Sequence, residues 1–454
     1  MVERSKNLSP ITNQAITSLN LIRGRSLNPH NKVASFQPLL VQASTKNMTQ
    51  PKNSKNEAKP TLLYLVTEDW YFCSHRLTLA CKARNKGYDI VVATRVNNHK
   101  EQIEKEGFKL IPIPFIRRSK NILRELSSLL NIVRIYKKVR PDIVHNIGIK
   151  PVLYGTWATK FIKTPIVINL LAGLTEKFHE NEWKSSVIRK MVNLAYRLGY
   201  LGVNAFTVFQ NSTDMNNFLK QGIVEKENVE LIRGSGVDTK KFDFSPEPEG
   251  IPIVVLASRL IWEKGVGEFV EASKILQGQG IKCRMVLVGD CDPDSTGSVP
   301  GEQLDKWLSE GAIEWWGHKD DMAEVFSNSH IACLPSYHEG TPRVLLEAAA
   351  CGRAIVTTDV PGCRQIVKDN EGGLIVPIKN SKALAESIRT LVDNPDLRVK
   401  MGKRGREIIL TEFSDDIIIG QTLALYERLL LDAGLHSEPS TVDLNNKIES
   451  HSNC

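Results

Sequence analysis

The chain has 454 residues, 41% of them hydrophobic and 24% charged, ordinary globular values in a sequence long enough to bury two sizeable cores. Its formal charge of +8 is unevenly spread: residues 1–60 carry nine Lys/Arg against two acids, residues 61–236 carry 27 against 15, and residues 237–454 carry 23 against 34. A basic first half suits an anionic partner such as a lipid diphosphate or a membrane surface, and with no recognition motif present the composition argues against nucleic acid.

Residues 1–60 are rich in Ser, Asn, Thr, Gln and Lys without periodicity, which predicts a disordered tail. The segment is acid-poor like an organelle transit peptide, and it also has the look of an extension upstream of a true initiator at Met48; a dispensable tail is favoured over targeting. From Leu62 strand and helix alternate: LLYLVT, a helix over about 74–85, DIVVAT, KLIPIP, an amphipathic helix over 119–139, DIVHN, a helix from about Pro151, PIVINL, a second amphipathic helix over 184–201, AFTVF, another helix and VELI. This alternation predicts a doubly wound parallel sheet, with ligands at the C-terminal ends of its strands. Gly, Pro and charge then replace periodicity at 234–250, which reads as an interdomain linker. A second parallel set follows, IVVLAS, MVLVGD, AIEWWG, HIACLP, AIVTTD and GLIVP, and the segment 415–434 reads as a long amphipathic final helix before a loose tail at 435–454. No run of 18 apolar residues occurs, so no membrane span is expected. The eight cysteines form no C-x-x-C pair and read as reduced, mostly buried residues of a cytoplasmic protein.

The most informative stretch is PSYHEGTPRVLLEAAACGRAIVTTDVPGCRQIV, residues 335–367. Gly340-Thr341-Pro342 separates Glu339 from Glu347 and places a helix start near Pro342. Free N–H groups at a helix start attract phosphate, and Gly340 permits close backbone approach. A carboxylate only accepts hydrogen bonds, so Glu339 and Glu347 suit vicinal sugar hydroxyls. Phosphate between two sugars describes a nucleotide-sugar. Glu pairs at this spacing also commonly decorate solvated helix faces. LLEAAACG, however, is apolar enough for a buried helix, with Gly352 placed to end it.

This block, with ASRLIWEKGVGEF at 257–269, resembles the E-x7-E signature of the retaining family 4 glycosyltransferases, and the resemblance runs over most of residues 61–434. It implies the GT-B fold: two Rossmann-like, doubly wound parallel-sheet domains facing across a cleft. Residues 61–236 would bind the acceptor, residues 237–414 the nucleotide-sugar, and the helix at 415–434 would cross back to the first domain. Arg259 and Lys264 match the family's diphosphate clamp, Glu339 its contact to the transferred sugar and Glu347 its contact to ribose. Gly340, Thr341 and Pro342 lie close to both sugars, Arg343 faces either the donor or solvent, and Gly317 with His318 match the position that holds the base. Fixed cations aimed at a departing diphosphate stabilise the charge that develops in the transition state. No metal and no cofactor are therefore expected; the nucleotide-sugar, read as UDP-linked, is a substrate.

On the acceptor side the sequence departs from the pattern. Many relatives carry His-x-His after the fourth strand, whereas DIVHNIGIKP offers His145 and then Ile147; Lys150 is placed to reach the cleft instead. The first loop, TEDWYFCSHR, lacks the family's paired glycines and ends in Arg76, as in relatives acting on lipid-linked sugars. Ser74, His75 and Arg76 are read as opening a helix that could bind an acceptor phosphate. The segments 117–140 and 183–200 interleave basic and apolar residues at helical spacing, which divides between core-packed helices and faces lying on an anionic membrane. The resulting expectation is a peripherally membrane-associated, metal-independent retaining transferase moving a hexose or N-acetylhexosamine to a lipid-linked or polysaccharide acceptor, with a nucleotide-sugar 2-epimerase of the same fold as the alternative.

Overall fold

The computed structural model describes residues 59–115, 122–162, 164–171, 183–293, 295 and 297–435; the expectations for residues 1–58 and 436–454, and for the basic run at 117–121, lie outside them. Seven strands, β1 (Thr61–Glu68), β2 (Asp89–Arg95), β3 (Lys109–Pro112), β4 (Ile143–Ile147), β5 (Ile166–Leu171), β6 (Ala205–Phe209) and β7 (Val229–Leu231), form one sheet. Their order is β3-β2-β1-β4-β5-β6-β7 and every pairing is parallel. Six more, β8 (Ile253–Ala257), β9 (Arg284–Val288), β10 (Glu314–Trp315), β11 (Ile331–Leu334), β12 (Ala354–Thr358) and β13 (Gly373–Val376), form a second parallel sheet in the order β10-β9-β8-β11-β12-β13. The strand sequences are near-continuous apolar runs because helices cover both faces of each sheet; every residue of β4, β8 and β12 is buried. Both sheets reverse strand order at one place, between β1 and β4 and between β8 and β11.

Several boundaries differ from the sequence expectation. The helix expected over 74–85 is two helices, Asp69–His75 and Leu77–Asn85, broken at Arg76 with φ −130°. The helix expected from Pro151 starts at Ile149, so Pro151 lies in the first turn, where its missing N–H breaks no hydrogen bond. VPGC, which follows β12, opens the helix Pro361–Ile366 with Pro at its start. The supposed linker at 234–250 mostly belongs to the second domain. Val237 and Phe242 are 1% and 2% exposed in its core, Arg398 donates to Glu247 at 2.9 Å, and Arg353 donates to the Ser245 carbonyl.

The chain passes between the sheets twice, and the two passages are hydrogen-bonded side by side: Val237 N donates to Phe413 O at 3.1 Å and Asp415 N to Val237 O at 2.9 Å. The final helix, Asp415–Asp432, then packs Ile418, Leu423, Tyr426 and Leu430 into the core built on β1. His145, expected on the acceptor side of a cleft, is 1% exposed in that core. Its Nδ1 lies 2.6 Å from the Tyr426 hydroxyl, which lies 3.4 Å from that of Tyr64. β4 alternates its side chains between the two faces of the sheet, and His145 takes the face that the final helix covers. The surface pairs Lys82–Asp416 and Arg428–Glu230 add little, being exposed and screened.

Burial, with Arg76 nearby, holds the folded His145 ring well below its ordinary value of 6.5. The folded pKa being the lower one, this stabilisation is complete above pH 6.5 and is lost as pH falls below it, because the unfolded ring takes up a proton that the folded one refuses. From this residue, stability should fall by up to about 1.4 kcal/mol per pH unit on acidification. Urea titrations at pH 7 and pH 5 should show a smaller difference for His145→Gln than for the unsubstituted protein.

Candidate active site

A cavity of about 520 Å³ opens where the strand ends of the two sheets face each other, bordered by Val66 and Thr67 near the end of β1, Ile147 and Gly148 at the end of β4, Ala257 and Ser258 at the end of β8, and Leu334 on β11. These are the two switch points, where strand ends diverge and leave a crevice. The second domain contributes Arg259, Lys264, Glu339, Gly340, Thr341, Pro342 and Arg343; the first contributes Glu68, Trp70, Tyr71, His75, Lys150 and Gln210.

Local sequence explains how the second-domain groups are held. Lys264 is followed by Gly265 at φ +72°, a left-handed residue whose Cβ would lie 2.1 Å from the Pro335 carbonyl oxygen, so only glycine lets the segment after β8 pack against the segment after β11. That contact brings Lys264 Nζ to 2.5 Å from Glu339 Oε1, with both side chains mostly buried. Arg259 donates to Asp292, from the segment after β9. Each cation of the expected clamp thus has a carboxylate partner. The helix Arg343–Ala350 starts just after Pro342, with Gly340 and Thr341 ahead of it. Thr341 Oγ1 is buried with no hydrogen-bond partner among the described residues, a polar atom that a ligand would satisfy.

Glu347 is 7% exposed, one turn along that helix, and accepts a hydrogen bond from Arg343 Nε at 2.7 Å. Burial raises its pKa, against the attraction of Arg343. Glu347 is not on the cavity wall, whereas its partner Arg343, which sequence left between donor and solvent, borders the cavity. Gly317 and His318 are not brought to this cavity: Gly317, at φ +69°, accepts from Gly289 N at 2.8 Å, and the exposed His318 faces Asp320 at 3.3 Å.

On the first-domain wall, Lys150 reaches the cavity and pairs with Glu125 at 2.8 Å, and Ile147 borders it where many relatives have the second His. Arg76 is 3% exposed, off the cavity wall, with Nε and Nη2 lacking partners among the described residues. Ser74 and His75 occupy the last turn of the helix Asp69–His75 and do not open a helix, so the free N–H groups of a helix start are not at their positions. Sequence reasoning passed over Trp70, Tyr71, Gln210 and Asp292. Each follows closely on a strand, which was the available signal.

Residues 61–211 match the family described as Glycosyl transferase 4-like and residues 237–408 the family described as Glycosyl transferases group 1. The chain belongs to these glycosyltransferases and has the GT-B fold. It is 28% identical over 368 residues to the N,N'-diacetylbacillosaminyl-diphospho-undecaprenol alpha-1,3-N-acetylgalactosaminyltransferase of Campylobacter jejuni, an alignment spanning 78% of this chain and 95% of that protein. It is 21% identical over 355 residues to the UDP-Gal:alpha-D-GlcNAc-diphosphoundecaprenol alpha-1,3-galactosyltransferase of Escherichia coli, covering 73% and 86%. Among solved structures, Anabaena HepE in complex with UDP and glucose superposes with TM-score 0.63 at 16% identity, covering 81% of this chain and 99% of that one. Sucrose-phosphate synthase from Thermosynechococcus elongatus gives 0.67 at 19%, covering 82% and 100%. These likenesses confirm the fold. The epimerase alternative gains no support from relatives that carry transferase names.

The loop bearing Glu339 rests directly on Gly362, where a Cβ would lie 2.4 Å from both the Glu339 and Gly340 carbonyl oxygens. Backbone cannot yield as a flexible side chain would, so Gly362→Ala should destabilise by about 1–3 kcal/mol despite alanine's better helix propensity. Thermal unfolding measures the loss, and a crystal structure should show Glu339 displaced from Lys264.

Proposed function

We propose that the protein transfers a hexose or N-acetylhexosamine from a UDP-sugar to a sugar hydroxyl of a lipid-diphosphate-linked glycan, with retention and without a metal ion. The observation that carries this reading is the facing of two chemically different walls across one cavity: Arg259, Lys264 and the Gly340–Pro342 loop on one side, and Trp70, Tyr71, His75 and Lys150 on the other. The cationic wall suits a nucleotide diphosphate, and the aromatic wall suits a sugar. The Campylobacter and Escherichia coli relatives, whose names state diphospho-undecaprenol acceptors, support the acceptor class. The UDP donor is supported by the name of the Escherichia coli enzyme and by the HepE complex.

In this reading the diphosphate displaces Asp292 and Glu339 as partners of Arg259 and Lys264. As the C1–O bond to the diphosphate breaks, those cations stabilise the charge left on it more than they stabilise the ground state. Glu339, released from Lys264, turns to the hydroxyls of the transferred sugar. Glu347 takes the ribose hydroxyls once Arg343 moves aside. The acceptor oxygen bonds to C1 on the face the diphosphate leaves, and its proton departs with the diphosphate, which preserves configuration and needs no enzymic nucleophile.

Among the described residues no helix is long and apolar enough to cross a membrane. The helices Ile122–Val139 and Trp183–Tyr200 nevertheless expose Leu126, Leu130, Met191, Leu194 and Leu198, beside exposed Arg124, Arg134, Lys190 and Arg197. Both pack against the helix Ile149–Thr159. Apolar side chains rimmed by cations suit an anionic bilayer surface, where a lipid-linked acceptor would be held.

A UDP-sugar at 100 times its dissociation constant stabilises a folded protein by about 2.7 kcal/mol, so a thermal-shift screen of UDP-, GDP- and ADP-sugars in EDTA should give a rise with one UDP-sugar that Glu347→Ala removes. Lys264→Ala should lower kcat at least about 100-fold in transfer to a polyprenyl-diphosphate-linked saccharide. Unchanged turnover in that variant would refute the clamp, and a requirement for added divalent cation would refute metal independence.

A further inference from the structure

The first-domain wall of the cavity is an aromatic corner. The Trp70 and Tyr71 rings meet edge-on, 5.8 Å apart at 75°, and Tyr71 stacks flat on His75 with centroids 4.2 Å apart and planes 6° from parallel. All three border the cavity. Two successive turns of the helix Asp69–His75 bring Tyr71 and His75 together, because residues four apart lie on one helix face.

The hydrogen bonds of this short helix favour one tautomer of His75. Ser74 Oγ lies 2.8 Å from the Trp70 carbonyl oxygen and 2.6 Å from His75 Nδ1. A hydroxyl has one hydrogen, and the carbonyl, which can only accept, takes it. With that donation Oγ offers lone pairs to the ring, and the tautomer that completes both contacts carries its hydrogen on Nδ1 and keeps a lone pair on Nε2. The neutral form is favoured as well: burial, followed by the charges of Arg343 and Arg76, pushes the ring's pKa down to about 3 against the weaker opposite pull of the Tyr71 carbonyl. A neutral imidazole presenting a lone pair attracts a hydroxyl hydrogen and repels a phosphate oxygen.

We propose that His75 is an acceptor-binding residue: its Nε2 accepts a hydrogen bond from a hydroxyl of the incoming acceptor sugar, whose apolar C–H face lies against the corner made by Trp70 and Tyr71. The inference rests on the transferase reading above and assigns the sugar, not the diphosphate, of a lipid-linked acceptor to this wall. It also gives the first domain a hydroxyl receptor in a cavity where Ile147 stands in the place of a second His. His75 orients the acceptor and takes no proton during transfer.

The test uses the full chain with a short-chain polyprenyl-diphosphate-linked disaccharide and, in parallel, soluble methyl glycosides. His75→Phe keeps the stack on Tyr71 and removes both ring nitrogens. Losing one neutral hydrogen bond should raise the acceptor KM about tenfold, with a much smaller change in kcat and with UDP affinity unchanged by calorimetry. His75→Gln, which restores an accepting oxygen, should recover most of that loss. An unchanged acceptor KM in His75→Phe, or a fall in UDP affinity equal to the fall in acceptor affinity, would overturn the assignment. Nitrogen-15 NMR of the His75 ring in the unsubstituted protein gives a reading that does not depend on how the variants fold. An unprotonated Nε2 whose signal moves on adding acceptor supports the proposal, and a protonated Nε2 defeats it. Transfer only to soluble glycosides would remove the lipid-linked acceptor class and leave the His75 comparison intact. Failure to transfer to any acceptor would remove the proposed function, while the ring-nitrogen spectrum would still judge His75.

Discussion

In a parallel sheet every strand ends on the same side, and where the strand order reverses the loops after two neighbouring strands turn away from each other. The molecule has two such sheets, with reversals at β1/β4 and β8/β11, and the cavity lies where both reversals face the same space. The placement of each cavity residue follows from this. Arg259, Glu339 and Lys150 come from distant parts of the chain, yet each follows closely on the C-terminal end of a strand.

The two sheets need a fixed relation for the cavity to exist, and the chain supplies it by crossing twice. Backbone hydrogen bonds join Val237 to Phe413 and Asp415, so the two crossings behave as one strap. Beyond the strap the final helix is anchored by apolar contacts around Tyr426 and by its hydrogen bond to His145. A buried polar contact is costly to break, because the group left behind has neither water nor a partner. His145 is therefore spent on holding the last helix to the first domain, which removes it from the chemistry of the cavity.

Each Lys and Arg that borders the cavity pairs with a carboxylate. Lys264 pairs with Glu339, Arg259 with Asp292, Arg343 with Glu347 and Lys150 with Glu125. Cations and carboxylates of this kind hold one another in place, and in the proposed reading the diphosphate takes over Arg259 and Lys264 and leaves Asp292 and Glu339 to new partners. The carboxylates released by that exchange are acceptors directed at hydroxyls, so one event would prepare both halves of a nucleotide-sugar site.

The sequence by itself determined the two-sheet architecture, because thirteen apolar runs alternating with helices admit few other solutions, and it determined the family, because Glu339, Gly340, Pro342 and Glu347 keep a fixed spacing within one loop and helix. Those features are local: they depend on periodicity, helix starts and neighbours a few residues apart. The break at Arg76 was not legible, since nothing in SHRLTLA forbids a continuous helix, and the linker was overdrawn because Val237 and Phe242 stand among Gly, Pro and charge. Only the tertiary structure decided that His145 is buried against the last helix, that Arg343 pairs with Glu347, and that Tyr71 and His75 stack at the edge of the cavity. Each of these depends on groups brought together across the fold or by the turn of one helix, and a side chain's protonation and direction are set by what surrounds it in space.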